Sequence, residues 1–492
     1  MQNRVLVKLS RKRRGCDILR GIFSSHVTMH LQFYGAAQTV TGSKHLVRIR
    51  DHSFLLDCGM FQGRMENIKE KNTTFPYEPK EVDYLLLSHA HIDHSGLIPY
   101  FVKRGFAGKI FATHATKDLV GILLVDSAKI QESDAEFMNK KLDRIGSTEP
   151  RIEPLYDTDD VDSALALFQG LAYGERHHIV DDVYVTFLDA GHILGSSLIV
   201  LEDEKEQKTL VFTGDLGRKG LPILKDPVQV DKADILITES TYGNRVHDTV
   251  ENMEADVAKV VTEAVAAGGK VLIPAFSIGR TQEIIYLLHK LWNEGKIPAV
   301  PIFVDSPLSS NATEIFIRHP ECYDKETFEA FLLQEKNPFH FSNITYIREV
   351  EDSIALNDRK EPCIIISSSG MCENGRVLHH LKKILPNHRN VVMTIGYMAE
   401  GTVGRRLIEG DKEVMIHGKM RQVQAKIMKM NSFSAHADKD ELLAYAGSIH
   451  GLKQIFLVHG EAEQSKPLAE EMRKLPGSPT VTIAEPLMEV DV

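Results

Sequence analysis

Short apolar segments rich in β-branched residues, bounded by turn residues, recur through the first half of the chain. They predict strands over residues 31–34, 45–49, 54–57, 84–87, 109–112, 183–188, 197–201, 210–213 and 235–238. Segments of helical character lie between several of these strands. The first half therefore predicts β-sheets with helices packed on their outer faces.

The pattern changes after about residue 244 to a regular alternation of helix and strand. A helix over residues 252–267 ends in Gly268-Gly269, a strand over residues 270–274 follows, and another helix begins after Gly279. Further strands are predicted over residues 302–304, 363–367 and 391–395. Such alternation is typical of βαβ units and predicts a parallel sheet.

A segment with serine, histidine and aspartate side chains lies over residues 432–438, and a last strand is predicted over residues 454–458. Together they predict that the chain returns to the first domain. With 492 residues, 43% of them hydrophobic, the chain is long enough to fill two cores. We expect a disordered N-terminal extension over residues 1–28, a first domain over residues 29–243 and 433–492, and a domain inserted into it over residues 244–432.

Composition narrows the setting in which this protein works. No apolar run approaches the roughly 18 to 20 residues of a membrane span, so we expect no membrane partner. The five cysteines never form a CxxC pair, which argues against a disulfide framework and favours a reducing cytoplasm. The net charge of −10 argues against nucleic-acid binding, which usually requires a basic surplus.

The strongest chemical signal is an H-x-H-x-D-H run between a predicted strand and an amphipathic helix. His89 and His91 are two residues apart at the strand end, where alternate side chains point the same way, and Asp93 and His94 follow on the turn. Imidazole and carboxylate ligands are those that zinc accepts. One loop can thus contact two adjacent metal ions.

Two weaker signals follow predicted strands further along the chain. His192 lies among glycines that allow close backbone approach, and Asp215 follows Gly214 in a TGD turn. Taken alone, Asp215 is more often an ordinary turn aspartate. The order of the motifs, with Asp57 preceding them, makes the metal interpretation the stronger one.

Together these motifs resemble the metallo-β-lactamase superfamily over nearly the whole chain from Leu31 onward. Residues 237–243, 432–438 and 457–461, which contain Glu239, His436 and His459, resemble motifs A, B and C of the β-CASP nucleases. The resemblance implies an α/β fold, an αββα sandwich with an inserted β-CASP domain built on a parallel sheet flanked by helices. It also implies a zinc-dependent ribonuclease.

The family pattern further implies two Zn²⁺ ions and a role for each motif residue. One zinc would be held by His89, His91, His192 and Asp215, and the other by Asp93, His94, Asp215 and His459. Asp57 would orient ligands without binding metal. Asp93, His436 and Glu239 would be catalytic, with Asp93 orienting the attacking water or accepting its proton and Glu239 holding His436 beside the transferred phosphate.

A serine-rich turn is a candidate for contact with the substrate phosphate. Ser367, Ser368 and Ser369 follow an apolar strand and precede a predicted helix, and Arg376 lies nearby. The competing interpretation is an ordinary Ser/Gly turn. Arg280, at a predicted helix start, is a weaker candidate.

Alternatives remain open at this level. The same metal core could act on DNA or on a small ester or thioester, because fold does not decide function. A non-catalytic scaffold is the other alternative, and the full ligand set argues against it. RNA as the partner rests on the resemblance alone, a homodimer is compatible with it, and endonuclease and 5′-exonuclease action are not distinguished.

Overall fold

A computed structural model describes residues 29–63, 67–247, 251–333, 337–396, 398–430 and 434–492 of this chain. The N-terminal extension expected over residues 1–28 lies outside the described residues. Strands and helices are numbered in chain order. Within the described ranges, the helices include none that is long and apolar enough to cross a membrane.

Two seven-stranded sheets make up the first domain. The first consists of β1 (Met29–Gly35), β2 (Lys44–Ile49), β3 (His52–Leu56), β4 (Tyr84–Leu86), β5 (Lys109–Thr113), β6 (Phe168–Leu171) and β22 (Met488–Asp491), in the order β22-β1-β2-β3-β4-β5-β6. The second consists of β7 (Arg176–Val180), β8 (Val183–Asp189), β9 (Ser197–Asp203), β10 (Lys208–Phe212), β11 (Ile235–Glu239), β20 (Gln454–Val458) and β21 (Thr480–Ile483), in the order β21-β20-β11-β10-β9-β8-β7.

The two sheets pack face to face around a shared apolar core. Phe33 and Phe54 of the first sheet belong to the same buried cluster as Phe187 and Phe212 of the second. In β8 the buried positions alternate, because only one face of that strand points into the core. β11 is buried at all five positions, because other elements cover both of its faces.

Helices cover the outer faces of both sheets. They are α2 (Ile92–Ser95), α3 (Ile98–Lys103), α4 (His114–Arg144) and α5 (Thr158–Leu165) on the first-sheet side, and α13 (Lys439–Gly447) and α14 (Ala462–Met472) on the second-sheet side. A short helix, α1 (Ile68–Thr73), lies in the connection between β3 and β4. The order helix, sheet, sheet, helix is the predicted αββα sandwich. The fold-class prediction is confirmed for this domain.

A six-stranded, all-parallel sheet forms the second domain. Its strands are β12 (Val271–Pro274), β13 (Ile302–Asp305), β14 (Ile344–Tyr346), β15 (Ile364–Ser367), β16 (Val391–Ile395) and β19 (Lys426–Met430), in the order β14-β13-β15-β12-β16-β19. Its helices are α6 (Glu251–Ala266), α7 (Arg280–Asn293), α8 (Pro307–Arg318), α9 (Lys325–Leu333), α10 (Val350–Asp358), α11 (Arg376–Ile384) and α12 (Val403–Ile408), and a hairpin pairs β17 (Glu413–Ile416) with β18 (Lys419–Gln422).

This parallel sheet is buried on both faces, which accounts for its continuous apolar strands. Val271 and Ile273 of β12 belong to one buried cluster, whereas Leu272 between them belongs to another. The predicted parallel sheet is therefore confirmed. All of its strands lie within residues 244–432, the range proposed for the inserted domain.

The two domains are joined by a segment that follows α8. Leu224 of the first domain forms a β-bridge with Tyr323, and the Asp324 amide donates a hydrogen bond to the Ile223 carbonyl at 2.8 Å. His319 contacts Asp118 of α4, with 3.1 Å between His319 Nε2 and Asp118 Oδ2. Backbone pairing and a side-chain contact therefore hold the second domain against the first.

The inter-sheet core generates a prediction about stability. Phe33 is fully buried between the sheets, and we expect Phe33→Ala to lower the free energy of unfolding by about 3 to 5 kcal/mol through lost burial and the cavity left behind. Phe137 on α4 is 66% exposed, so Phe137→Ala serves as the control and should change it by less than about 0.5 kcal/mol. Urea unfolding monitored by far-UV circular dichroism measures the free energy of unfolding of both variants. Equal losses in the two variants would contradict the core assignment.

Candidate metal centre

The predicted ligands lie where strands of the two sheets end. His89 and His91 follow β4, His192 follows β8, Asp215 follows β10 and His459 follows β20. β10, β11 and β20 are mutually parallel, so their carboxyl ends meet at one edge of the second sheet. The fold brings together all seven residues predicted to bind metal, although they come from distant parts of the sequence.

The first cluster consists of three histidines and one aspartate. One donor atom of each of four residues lies within 4.8 Å of the others, namely those of His89, His91, His192 and Asp215. Asp215 Oδ2 is 3.5 Å from His89 Nε2 and 3.5 Å from His192 Nε2. His91 Nδ1 lies 3.3 Å from His192 Nε2. These are the four residues predicted to hold one zinc.

The second cluster consists of Asp93, His94 and His459, which also meet within 4.8 Å. His94 Nε2 is 3.2 Å from His459 Nε2, and His459 Nε2 is 3.4 Å from Asp93 Oδ2. The other oxygen of Asp215, Oδ1, is 3.3 Å from His94 Nε2. Asp215 therefore offers one oxygen to each cluster.

Asp57 fixes the orientation of His94. Its fully buried carboxylate accepts a hydrogen bond from the Ser88 amide at 2.8 Å, from the Ser88 hydroxyl at 3.0 Å and from the Ser43 hydroxyl at 3.1 Å. It also contacts His94 Nδ1 at 2.7 Å. With Nδ1 held in this way, His94 presents Nε2 to Asp215 and His459, an orienting role that metal-binding histidines generally need.

The chemistry of these donors fits zinc. Asp215 Oδ1 and His192 Nδ1 are buried without a hydrogen-bond partner among the described residues. Burial, followed by neighbouring histidines, lowers the pKa of His89 and of His192 well below the usual range, so both imidazoles are neutral and able to donate a lone pair. Neutral imidazoles and ionised carboxylates facing one another in a buried site form a set that divalent cations complete.

Glu239 and His436 form a pair beside the clusters. Glu239 is fully buried, accepts a hydrogen bond from the Leu216 amide at 2.7 Å, and lies with both oxygens 3.1 Å from His436 Nδ1. Burial alone would lower the pKa of His436, but the Glu239 and Asp215 carboxylates outweigh it and raise that pKa to about 9. His436 Nδ1 also lies 3.9 Å from Asp215 Oδ2.

Exposure identifies the open side of the centre. The side chains of Asp93 and His436 are 20% and 22% exposed, whereas those of His89, His94, His192 and Asp215 are 1 to 2% exposed. Among the described residues of the centre, His91, Asp93 and His436 are partly exposed, so a substrate would approach from their side.

The serine-rich turn lies at the carboxyl edge of the parallel sheet. The Ser368 hydroxyl donates to Ser306 Oγ at 2.8 Å, and Ser369 Oγ accepts a hydrogen bond from the Glu373 amide at 3.1 Å. Ser367 is 2% exposed, and its hydroxyl donates to the Asp305 carbonyl at 2.9 Å. Phosphate contact stays a prediction for this turn.

Arg376 is engaged inside the domain. Its guanidinium donates to Asp305 Oδ1 at 2.7 Å and to the Arg348 carbonyl at 2.7 Å, and His380 Nε2 lies 2.6 Å from Asp305 Oδ2. Arg376 thus neutralises a fully buried aspartate, and His380 contacts the second oxygen of that carboxylate. These contacts give Arg376 a structural role and leave its phosphate contact without geometric support.

Several supporting residues were missed in the sequence. Ser43 and Ser88 bind Asp57, and the Thr241 hydroxyl contacts His459 Nδ1 at 3.1 Å. Ser88 and Thr241 lie inside the motifs, so their position in the sequence could have identified them. Ser43 comes from a separate turn and carries no such signal. Arg280, considered for phosphate contact, is 6% exposed and forms an ion pair with Glu283 in the first turn of α7.

Comparison with known proteins yields three matching family models. They are the metallo-beta-lactamase superfamily over residues 42–261, the Beta-Casp domain over residues 281–407 and the Zn-dependent metallo-hydrolase RNA specificity domain over residues 420–483. The three matches follow the order in which the sequence motifs occur. The predicted family resemblance is confirmed.

Similar proteins extend over most of the chain. Ribonuclease TTHA0252 from Thermus thermophilus is 35% identical over 436 residues, covering 89% of this chain and 94% of the relative. An RNase J-like protein from Methanocaldococcus jannaschii is 32% identical, covering 92% of this chain and 97% of the relative. The transcription termination factor FttA from the same organism is 29% identical, covering 96% of this chain and 72% of the relative. This chain belongs to the β-CASP family of the metallo-β-lactamase superfamily, a family of metal-dependent hydrolases.

Proposed function

We propose that this protein is a zinc-dependent ribonuclease that hydrolyses RNA phosphodiester bonds at the centre around Asp215. The observation that carries the proposal is the presence of two ligand clusters sharing Asp215, with the Glu239–His436 pair beside them. The names of two relatives, a ribonuclease and an RNase J-like protein, support RNA as the substrate class. The description of the model matched over residues 420–483 supports both zinc and RNA.

The two clusters would hold two Zn²⁺ ions. His89, His91, His192 and Asp215 would hold one, and Asp93, His94, Asp215 and His459 would hold the other. When bound, a pair of such ions supplies a water of lowered pKa and neutralises charge on the phosphoryl oxygens during an in-line displacement. Asp57 keeps His94 in the orientation that this arrangement needs.

Asp93 is proposed to handle the proton of the attacking water. Its carboxylate reaches the open side of the centre, and burial, which would raise its pKa, is outweighed by His459 and His94, which lower it. The carboxylate is therefore ionised and can accept a hydrogen bond from water at the position of attack. Its contact with His459 holds it in place.

His436 is proposed to act on the phosphate and the departing oxygen, on the side away from the attacking water. As a cation held by Glu239, it can donate a hydrogen bond to the transferred phosphate or a proton to the departing oxygen. Its partial exposure places it where substrate arrives. Residues 434–438 follow the inserted domain in sequence. The position of that domain relative to the first therefore influences the position of His436.

The serine-rich turn is proposed as the phosphate-binding part of the substrate cleft. Ser368 and Ser369 keep hydroxyls near the carboxyl edge of the parallel sheet, and Ser367 and Arg376 support the turn from within. Parallel sheets bind ligands at this edge, where strands give way to loops and helix N-termini. Contact here would position RNA for cleavage at the metal centre.

We propose a cytoplasmic location, since the four cysteines of the described residues are free and buried. A homodimer stays a prediction. The acidic net charge of −10 is compatible with RNA because two zinc ions would add four positive charges at the point where the phosphate docks.

A single-residue change tests the catalytic proposal. We expect wild-type protein with two zinc ions to cleave RNA carrying a 5′ monophosphate, and Asp93→Asn to lose at least about 100-fold in kcat because the carboxylate proposed both to accept the proton and to bind the second zinc is gone. Asp358→Asn, at an exposed surface ion pair, is the matched control and should keep wild-type activity. Substrate labelled at one end and then at the other distinguishes mid-chain fragments from released mononucleotides. Absence of cleavage by zinc-loaded wild type would overturn the ribonuclease proposal.

Metal content tests the assignment of ligands. Wild type should bind two zinc ions per chain, and chelation should abolish cleavage and lower the unfolding midpoint, because binding to the folded state stabilises it. His192→Ala should bind one zinc fewer, whereas His178→Ala, on the edge strand β7, should bind two. Elemental analysis and thermal unfolding measure these changes. Equal zinc content in both variants would contradict the first cluster.

A double-mutant cycle tests the Glu239–His436 pair. We expect His436→Ala to lower kcat by about 10² to 10⁴-fold with zinc content unchanged, and Glu239→Gln to lower it less. If Glu239 acts through His436, the double variant is no slower than His436→Ala alone. Multiplicative losses would show that the two residues act independently and would reject the pairing.

A further inference from the structure

Phe276 is an exposed aromatic side chain at the carboxyl edge of the parallel sheet. Three phenylalanines belong to the exposed large apolar side chains of the described residues: Phe137 at 66%, Phe276 at 37% and Phe328 at 40%. Phe137 and Phe328 lie on the helices α4 and α9, whereas Phe276 follows the end of β12. Phe276 therefore differs from the other two by its place at a sheet edge where ligands commonly bind, and not by its exposure.

The backbone around Phe276 is fixed from two sides. The Ala275 amide donates to the Ser367 carbonyl at 3.1 Å, which ties the segment to the end of β15. The Phe276 carbonyl accepts hydrogen bonds from the Thr281 amide at 3.3 Å and the Thr281 hydroxyl at 2.8 Å, which ties it to the first turn of α7. The ring therefore projects from a rigid support and loses little conformational freedom when something stacks on it.

The ring lies directly against the serine-rich turn. A Cβ atom added at Gly370 would lie 2.9 Å from Phe276 Cδ2 and 2.9 Å from the Phe276 nitrogen, so the absence of a side chain at Gly370 permits this approach. On the polar side, Ser306 Oγ is 2.8 Å from Ser368 Oγ and 3.5 Å from Ser277 Oγ. An aromatic surface and a group of hydroxyls are thus adjacent.

This edge faces the metal centre. A Cβ atom added at Gly279 would lie 3.3 Å from Ile193 Cγ2, in the loop that presents His192. The charge of Arg280, the next residue, acts on both His192 and His436. Phe276 therefore belongs to the part of the second domain that borders the catalytic side of the first.

We propose that Phe276 and the Ser368–Gly370 turn form a nucleotide subsite, in which a base stacks on the phenyl ring and its sugar-phosphate lies against the hydroxyls. The inference rests on the proposed function, because it takes the substrate to be RNA. Every base has an apolar face, and stacking of this kind contributes about 1 to 3 kcal/mol without selecting a sequence. Phe276 is a positioning residue, since it holds the strand and touches none of the reacting atoms.

The first part of the test separates binding from chemistry in zinc-loaded, full-length protein. Phe276→Leu keeps an apolar side chain and removes the aromatic face, so we expect the KM for RNA to rise about tenfold with kcat within twofold of wild type. Phe276→Tyr should restore the wild-type KM. Phe328→Leu, which removes a phenyl ring of similar exposure on α9, is the matched control and should change neither parameter.

The second part identifies the base. A single abasic residue is moved position by position through a fluorescent RNA, and affinity is measured by anisotropy in the zinc-loaded Asp93→Asn background, where cleavage is expected to be at least about 100-fold slower. At one position we expect the abasic residue to lower the affinity of the protein with Phe276 about tenfold relative to intact RNA. The same abasic residue should leave the affinity of the Phe276→Leu protein unchanged. The same loss for both residues at every position would show that no base contacts the ring.

The outcomes separate this inference from the proposed function. If zinc-loaded wild type neither binds nor cleaves RNA, the proposed function is wrong and the subsite falls with it. If wild type cleaves RNA and Phe276→Leu matches it in KM and in affinity, only the subsite is overturned. A Phe276→Leu effect confined to kcat would also reject stacking, because the loss would then lie in chemistry.

Discussion

Asp215 places an ionised carboxylate at 2% exposure between the imidazoles of the two ligand clusters. Moving such a charge out of water costs several kcal/mol unless opposite charge and hydrogen bonds surround it. His459 and His94 outweigh the effect of burial and hold the pKa of Asp215 well below its usual range. Completion of this site by divalent cations would therefore contribute to the stability of the domain as well as to its chemistry.

The position of Asp215 constrains the topology of the sandwich. Phe212 of β10 pairs in register with Ile237 of β11, and Glu239 at the end of β11 pairs with Val458 of β20. These registers place Asp215, Glu239 and His459 on three neighbouring strand ends. The whole second domain is inserted between β11 and β20, two adjacent parallel strands, so it can enlarge the protein without disturbing the register on which the centre depends.

The sequence predicted the parts of the site that local periodicity specifies. The H-x-H-x-D-H run after a strand indicated metal by itself, whereas His192, Asp215 and His459 were assigned through the order of the motifs and the family resemblance. The inserted parallel sheet followed from its helix and strand alternation. Contacts between residues on strands that are neighbours in a sheet but distant in sequence could not be predicted in this way. Arg376 has the charge for binding phosphate, but the adjacency of β13 and β15 brings it to the buried Asp305, and no linear pattern shows that adjacency.

The same limit explains why Phe276 escaped notice and why net charge misleads for this protein. A phenylalanine directly after an apolar strand is usually a core residue. The structure shows instead that the Phe276 ring is partly exposed and lies beside Gly370 of the serine-rich turn. The formal charge of −10 counts Asp57, Asp215, Glu239 and Asp305 as acids, yet all four are buried and paired inside the protein. In the proposed complex, zinc at the reacting phosphate and a ring against a base would supply contacts that do not depend on the net charge, because stacking is uncharged and the charge of the ions would act only at the site.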